Sequence, residues 1–116
     1  MLELKIKRVF LEQIISGEKK EEYREPSDFN MSRLFRLDHE QKMFYDKGID
    51  KIKFVAGYAK DADWATVKVK KIDLYTFVHN IPEGFNKGDE SIIIDLDEVL
   101  DYKLTEKKPK SRISAA

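Results

Sequence analysis

The amino-terminal part of this sequence changes its hydrophobic period twice within a short distance. Leu2, Leu4 and Ile6 alternate with Glu3, Lys5 and Lys7, the period-two pattern of a strand with one buried face. Phe10, Leu11, Ile14 and Ile15 then fall at helical spacing, so Arg8 to Ser16 is expected to form a short amphipathic helix. Gly17 follows the last apolar pair, where a helix C-terminus favours a residue that accepts positive φ. Lys20 to Glu25 returns to strand character and Pro26 stops it.

The rest of the chain extends this pattern. Ser27 or Asp28 can cap a helix carrying Phe29, Arg33, Leu34 and Leu37. Asp38 with Gln41 three residues later resembles a capping box, so a second helix ending at Gly48 is expected within the 27–50 insertion. Phe29, Phe35, Phe44 and Tyr45 of that insertion are expected to pack onto the sheet; left exposed, they would suit a protein partner. Lys51 to Tyr58 is a strand candidate with Ile52, Phe54 and Ala56 on one face. Lys60 to Asp63 is a charged turn, and a β-branched run from Ala65 to about Phe77 completes a hairpin. Pro82 to Gly84 and Lys87 to Asp89 punctuate a loop. Ser91 to Asp95 reads as a buried strand and Val99 to Leu104 as a separate last one, with Asp97 and Glu98 in a charged turn between them.

Short strands with helices early in the chain argue for an α+β fold. A small mixed barrel of five to six strands with two to three helices is the expected form, because closure protects strand edges. With 116 residues the chain suits one domain, taken as 1–104, with a flexible tail over 105–116. Lys+Arg and Asp+Glu are equal at 22 each, which argues against coating duplex DNA through bulk charge and leaves room for a local basic pocket. The absence of cysteine excludes disulfides and thiolate metal sites. The alternating N-terminus lacks the continuous apolar run of a signal peptide, and no stretch approaches a membrane span, so a cytoplasmic protein that does not engage membranes is expected.

Chemistry concentrates between Gly17 and Arg24. Lys19 sits at the turn, while Glu22 and Arg24 are two apart and share one strand face. A lysine offers a point charge to phosphate, and an arginine forks onto a carboxylate or phosphate. Tyr58 and Trp64 bracket the charged turn, where aromatics beside a basic groove can stack on bases. His39 and His79 have no ligand-spaced partner, and Asp95, Asp97 and Glu98 are not spaced for ordered magnesium geometry, so no metal and no cofactor is expected. No phosphate-binding loop, dinucleotide fingerprint or serine-nucleophile motif is present.

Gly17-x-Lys19-x-x-Glu22-x-Arg24, after a strand and an amphipathic helix, resembles the Gly-x-Lys-x-x-Glu-x-Arg signature of ASCH domains, which belong to the PUA-like β-barrels. Arg33-Leu34, Ile52-Lys53-Phe54-x-x-Gly57-Tyr58 and Val67-Lys68-Val69 extend the resemblance over most of residues 2–104. The resemblance implies a cleft between the first helix and the barrel that binds RNA or a nucleotide-like ligand, with Lys19, Glu22, Arg24 and Tyr58 as ligand-binding residues. An alternative it also implies is an amidohydrolase acting on an acylated nucleoside such as N4-acetylcytidine, or a nuclease. Lys19 would then be the general base, Glu22 or Glu83 would manage protons and Arg24 would steady an oxyanion. The acylcytidine-hydrolysing relatives carry a threonine hydroxyl where this chain has Glu22, so a glutamate here would have to activate water.

Overall fold

The computed structural model describes residues 1–106. They form a mixed α+β fold of two helices, a five-stranded sheet curled into a half-barrel, and a small separate hairpin. In chain order the elements are β1 (Leu2–Lys5), α1 (Arg8–Ser16), β2 (Glu21–Arg24), α2 (Asp28–Leu34), β3 (Phe35–Asp38), β4 (Met43–Asp46), β5 (Lys51–Val55), β6 (Trp64–Thr76) and β7 (Glu90–Lys103). The main sheet runs β1-β5-β6-β7-β2. β1 lies parallel to β5 and the other neighbours are antiparallel. The two N-terminal strands therefore occupy the two outer edges of the sheet.

The curl has a visible origin in the register of β6 against β7. Val67 pairs with Val99 and Val69 with Leu96, so β7 carries an extra residue there. A second irregularity follows between Val69 and Lys71, and another precedes at Thr66. Each bulge bends its strand and increases the local twist. Asp97 and Glu98 fall inside the first of these bulges, both exposed, within a strand that continues from Glu90 to Lys103. The expected break into two strands with a charged turn is thus corrected: backbone pairing to β6 carries through the acidic pair because the bulge lets both carboxylates face water.

The concave face holds the core. Leu4, Ile52, Phe54, Ala65, Val67, Ile72, Ile92 and Ile94 project into it from the sheet, and Leu11 and Ile14 of α1 fill it from above. α1 lies across β6 and β7. It ends where expected: Gly17 has φ 87°, and its N–H donates to the Ile14 carbonyl at 3.2 Å. α2 begins at Ser27, whose Oγ accepts from the Asn30 N–H at 3.2 Å, and buries Leu34.

The second expected helix of the insertion does not form. Asp38 does accept from two backbone N–H groups, those of Glu40 and Gln41, at 3.0 and 3.1 Å. It does so in a hairpin turn between β3 and β4, with Lys42 at φ 54°. A capping aspartate serves a turn as well as a helix start. Of the four insertion aromatics expected to pack onto the sheet, Phe35 enters the core, whereas Phe29 and Phe44 are at least half exposed and Tyr45 is 37% exposed. β5 ends at Val55, earlier than expected, which leaves Tyr58 in the turn beyond Gly57.

No described helix is long and apolar enough to cross a membrane. Thr105 is tied down: its N–H and hydroxyl both donate to Asp63 Oδ1, at 2.9 and 2.7 Å. Most of the expected C-terminal tail, from Lys107 onward, lies outside the described residues.

Candidate functional site

Glu22 and Arg24 stand opposite Ile94 and Ile92 in the β2–β7 register, so both point to the concave face. Tyr23, between them, points the other way and packs edge-on against Phe77 and Phe85, with ring centroids 6.2 and 5.4 Å apart. Burial, with the nearby Glu21 carboxylate second, pushes the Tyr23 phenol above its ordinary range.

Lys19, Glu22 and Arg24 converge. Glu22 is 6% exposed, and each of its carboxylate oxygens is engaged. Lys19 Nζ lies 3.2 Å from Oε1, while Arg24 Nε donates to Oε2 at 2.9 Å. A carboxylate this buried requires charged partners, and two cations around one acid leave the trio with a net positive charge. The Lys19 ammonium also rests over the rings of Phe10 and Tyr23, 5.3 and 5.7 Å from their centroids.

Arg24 reaches further. Its Nη2 donates to the Lys5 carbonyl of β1 at 2.6 Å. Arg33 of α2 donates to the Glu3 carbonyl of the same strand at 3.1 Å. Ile6 N–H pairs with Val55 of β5, so the odd-numbered residues of β1 turn their backbone polar groups to the free edge. Two guanidinium groups thus cap the carbonyls of an edge strand that has no strand neighbour on that side among the described residues.

A cleft of about 400 Å³ opens along this edge. Lys5, Arg24, Arg33, Phe29 and Tyr58 are its chemically distinctive walls. Tyr58 is 87% exposed, with Lys5 Nζ 4.9 Å from its ring centroid. Phe29 is 64% exposed, with the Arg33 guanidinium carbon 4.9 Å from its ring centroid. Each aromatic ring therefore carries a cation and still presents open surface. Glu3, the one carboxylate in the lining, is drawn 3.8 Å from Lys53.

Of the residues singled out by sequence, Arg24 and Tyr58 line this cleft, and Lys19 and Glu22 do not. The helical wall of this cleft is α2, through Phe29, Asn30 and Arg33, while α1 buries Leu11 and Ile14 in the core. The sequence does not mark Lys5, Phe29 and Arg33 as a group. They come from β1 and α2, and nothing in their sequence spacing brings them together. Glu83 is exposed in the β6–β7 loop and lines neither the cleft nor the Lys19 cluster.

A larger hollow of about 480 Å³ lies between α2, the β3–β4 hairpin and the distal end of β6. Its walls are mainly apolar, with Asp28 and Glu90 as its charged residues, so it does not suit an anion. Among the described residues, no group of three or more His, Asp or Glu side chains is placed to hold a metal ion. No family model matches the chain, and no curated protein or solved structure matches it either.

Proposed function

We propose that the chain is a binding module for RNA or a nucleotide-like ligand, built on an ASCH-like, PUA-like half-barrel. The observation that carries this reading is the cleft along β1, where Lys5, Arg24 and Arg33 surround a hollow flanked by the exposed rings of Phe29 and Tyr58. A nucleotide presents a flat base and an anionic phosphate, and this lining offers a partner for each. The open surfaces of Tyr58 and Phe29 take the base. Arg33 and Lys5 take the phosphate, with Arg24 held in place by Glu22.

The amidohydrolase alternative needs Lys19 and Glu22 to meet the substrate. In this fold the two engage each other behind Arg24 and do not line the cleft, which favours binding over chemistry. The test is titration of the four ribonucleoside monophosphates and of short RNA at low salt, by calorimetry and fluorescence anisotropy. Binding that Arg33→Ala and Tyr58→Ala both weaken, with the RNA left intact, is the expected result. Failure of every nucleotide and RNA to bind overturns the proposal, and turnover of N4-acetylcytidine abolished by Lys19→Ala replaces it with the hydrolase reading.

A further inference from the structure

A second basic hollow adjoins the first. It measures about 300 Å³ and lies on the outer face of the sheet, where Lys53, Lys60, Lys103 and Trp64 line it. The strand registers explain why these residues meet. Glu3 is level with Lys53, Lys5 with Val55, Val55 with Trp64, and Trp64 with Lys103. Paired residues share a face, and Leu4 and Phe54 take the opposite, core face. One outward row of side chains thus crosses β1, β5, β6 and β7.

Glu3 and Lys5 line both hollows. The two hollows therefore meet on β1, one on the outer face and one around its free edge. Among the described residues, their walls together carry six cationic side chains against two carboxylates, Glu3 and Asp61, on a chain whose formal net charge is zero. The second hollow repeats the design of the first: Lys53 Nζ sits 4.8 Å from the Trp64 ring centroid, as Lys5 does beside Tyr58. Lys103 Nζ donates to the Asp61 carbonyl at 2.6 Å, which fixes the ammonium without neutralising it.

Resting on the reading of the β1 cleft as a nucleotide site, we infer that Lys53, Lys60, Lys103 and Trp64 form a second subsite, and that the ligand is a single-stranded nucleic acid running from one hollow to the other over Lys5. A mononucleotide would occupy one hollow and leave the other cationic patch unanswered. A strand places a phosphate at each patch and a base beside each ring, the arrangement that sequence-tolerant single-strand binders use. A base-free polyanion would use the lysines and leave the aromatic rings idle.

The test is affinity against length. Oligonucleotides of one to about eight residues, the longest of them within the range of site sizes of small single-strand binding folds, are titrated into the full chain by anisotropy, alongside inorganic polyphosphate. Affinity is expected to rise about tenfold or more between the mononucleotide and the longest strand. Lys60→Glu, at an exposed loop position, is expected to lower oligomer affinity several-fold and leave mononucleotide affinity unchanged. Each lost phosphate contact also lowers the slope of log affinity against log salt by about 0.7. Trp64→Leu is expected to weaken the oligomer and spare polyphosphate. Mononucleotide binding with no gain on lengthening, or no effect of Lys60→Glu, overturns the second subsite and leaves the cleft standing. Equal binding of polyphosphate and oligomer, both indifferent to Trp64→Leu, also overturns it in favour of a plain polyanion contact. Absence of any binding, mononucleotide included, overturns both readings.

Discussion

Arg24 on β2 donates to the backbone carbonyl of Lys5 on β1 at 2.6 Å, so the two outer strands of an open sheet are joined by a side chain. The same guanidinium holds the buried Glu22 carboxylate. One residue thus links the half-barrel's edges, balances its buried acid and forms a wall of the candidate cleft.

Replacement of Arg24 by alanine leaves Glu22 with Lys19 as its remaining cation and uncovers the Lys5 carbonyl. A buried carboxylate that keeps one of two partners implies a loss of about 2 kcal/mol. Arg24→Lys recovers only part of this, since an ammonium cannot bridge the carboxylate and the carbonyl as a planar fork does. The midpoint of urea unfolding measures both effects, and an unchanged midpoint for Arg24→Ala contradicts the bridging role.

Tyr58 offers a way to separate the proposed binding from stability. It is 87% exposed and lies outside any strand, so Tyr58→Ala should leave the unfolding free energy within about 0.5 kcal/mol of the parent. Loss of a stacked base lowers affinity by about 1–3 kcal/mol. Thermal melting and nucleotide titration of the same sample check the pair of outcomes. A large drop in stability shows that the ring serves packing.

The clamp at Asp63 predicts a pH dependence. The Thr105 hydroxyl, then the Thr105 N–H and Arg8, hold the Asp63 carboxyl below its ordinary value of 3.8, against the opposing effect of burial. A carboxyl whose pKa is lowered on folding contributes stability that is present above the unfolded value and is lost as pH falls through the folded one. Melting temperatures between pH 6 and pH 2 should therefore fall through and below about pH 4, and Asp63→Asn should flatten that fall. Thr105→Val should move the steep part of the curve to higher pH.

Gly17 ends α1 at φ 87° with open space around it, so a side chain there meets strain rather than a clash. Gly17→Ala is expected to cost about 1 kcal/mol in chemical unfolding, and Gly17→Asn less, because asparagine tolerates the left-handed region.

The amino-terminal elements were legible because their determinants are local. Period-two alternation gave β1, helical spacing with Gly17 gave the limits of α1, and Pro26 bounded β2. The Lys19, Glu22 and Arg24 cluster was legible for the same reason, since strand periodicity puts two of the three on one face. Asp38 misled because an aspartate cap satisfies the same N–H groups in a turn as at a helix start. Asp97 and Glu98 misled because a bulge needs a partner strand, and the register of β6 is invisible from β7 alone. Lys5, Phe29 and Arg33 meet only because β1 is an outer edge and α2 lies beside it. Fold topology, not spacing, makes that cleft.

The placement of β1 and β2 at opposite edges also sets an order of events during synthesis. β1 must wait for Ile52 to Val55, and β2 for Ile92 to Asp95, before either finds its backbone partners. Within this sheet, the strands made earliest are thus among the last to be completed, and non-local pairing of this kind is slow. Nascent chains halted before Ser91 should remain protease-sensitive even at Leu11 and Ile14, and resistance should arrive in one step once β7 has emerged.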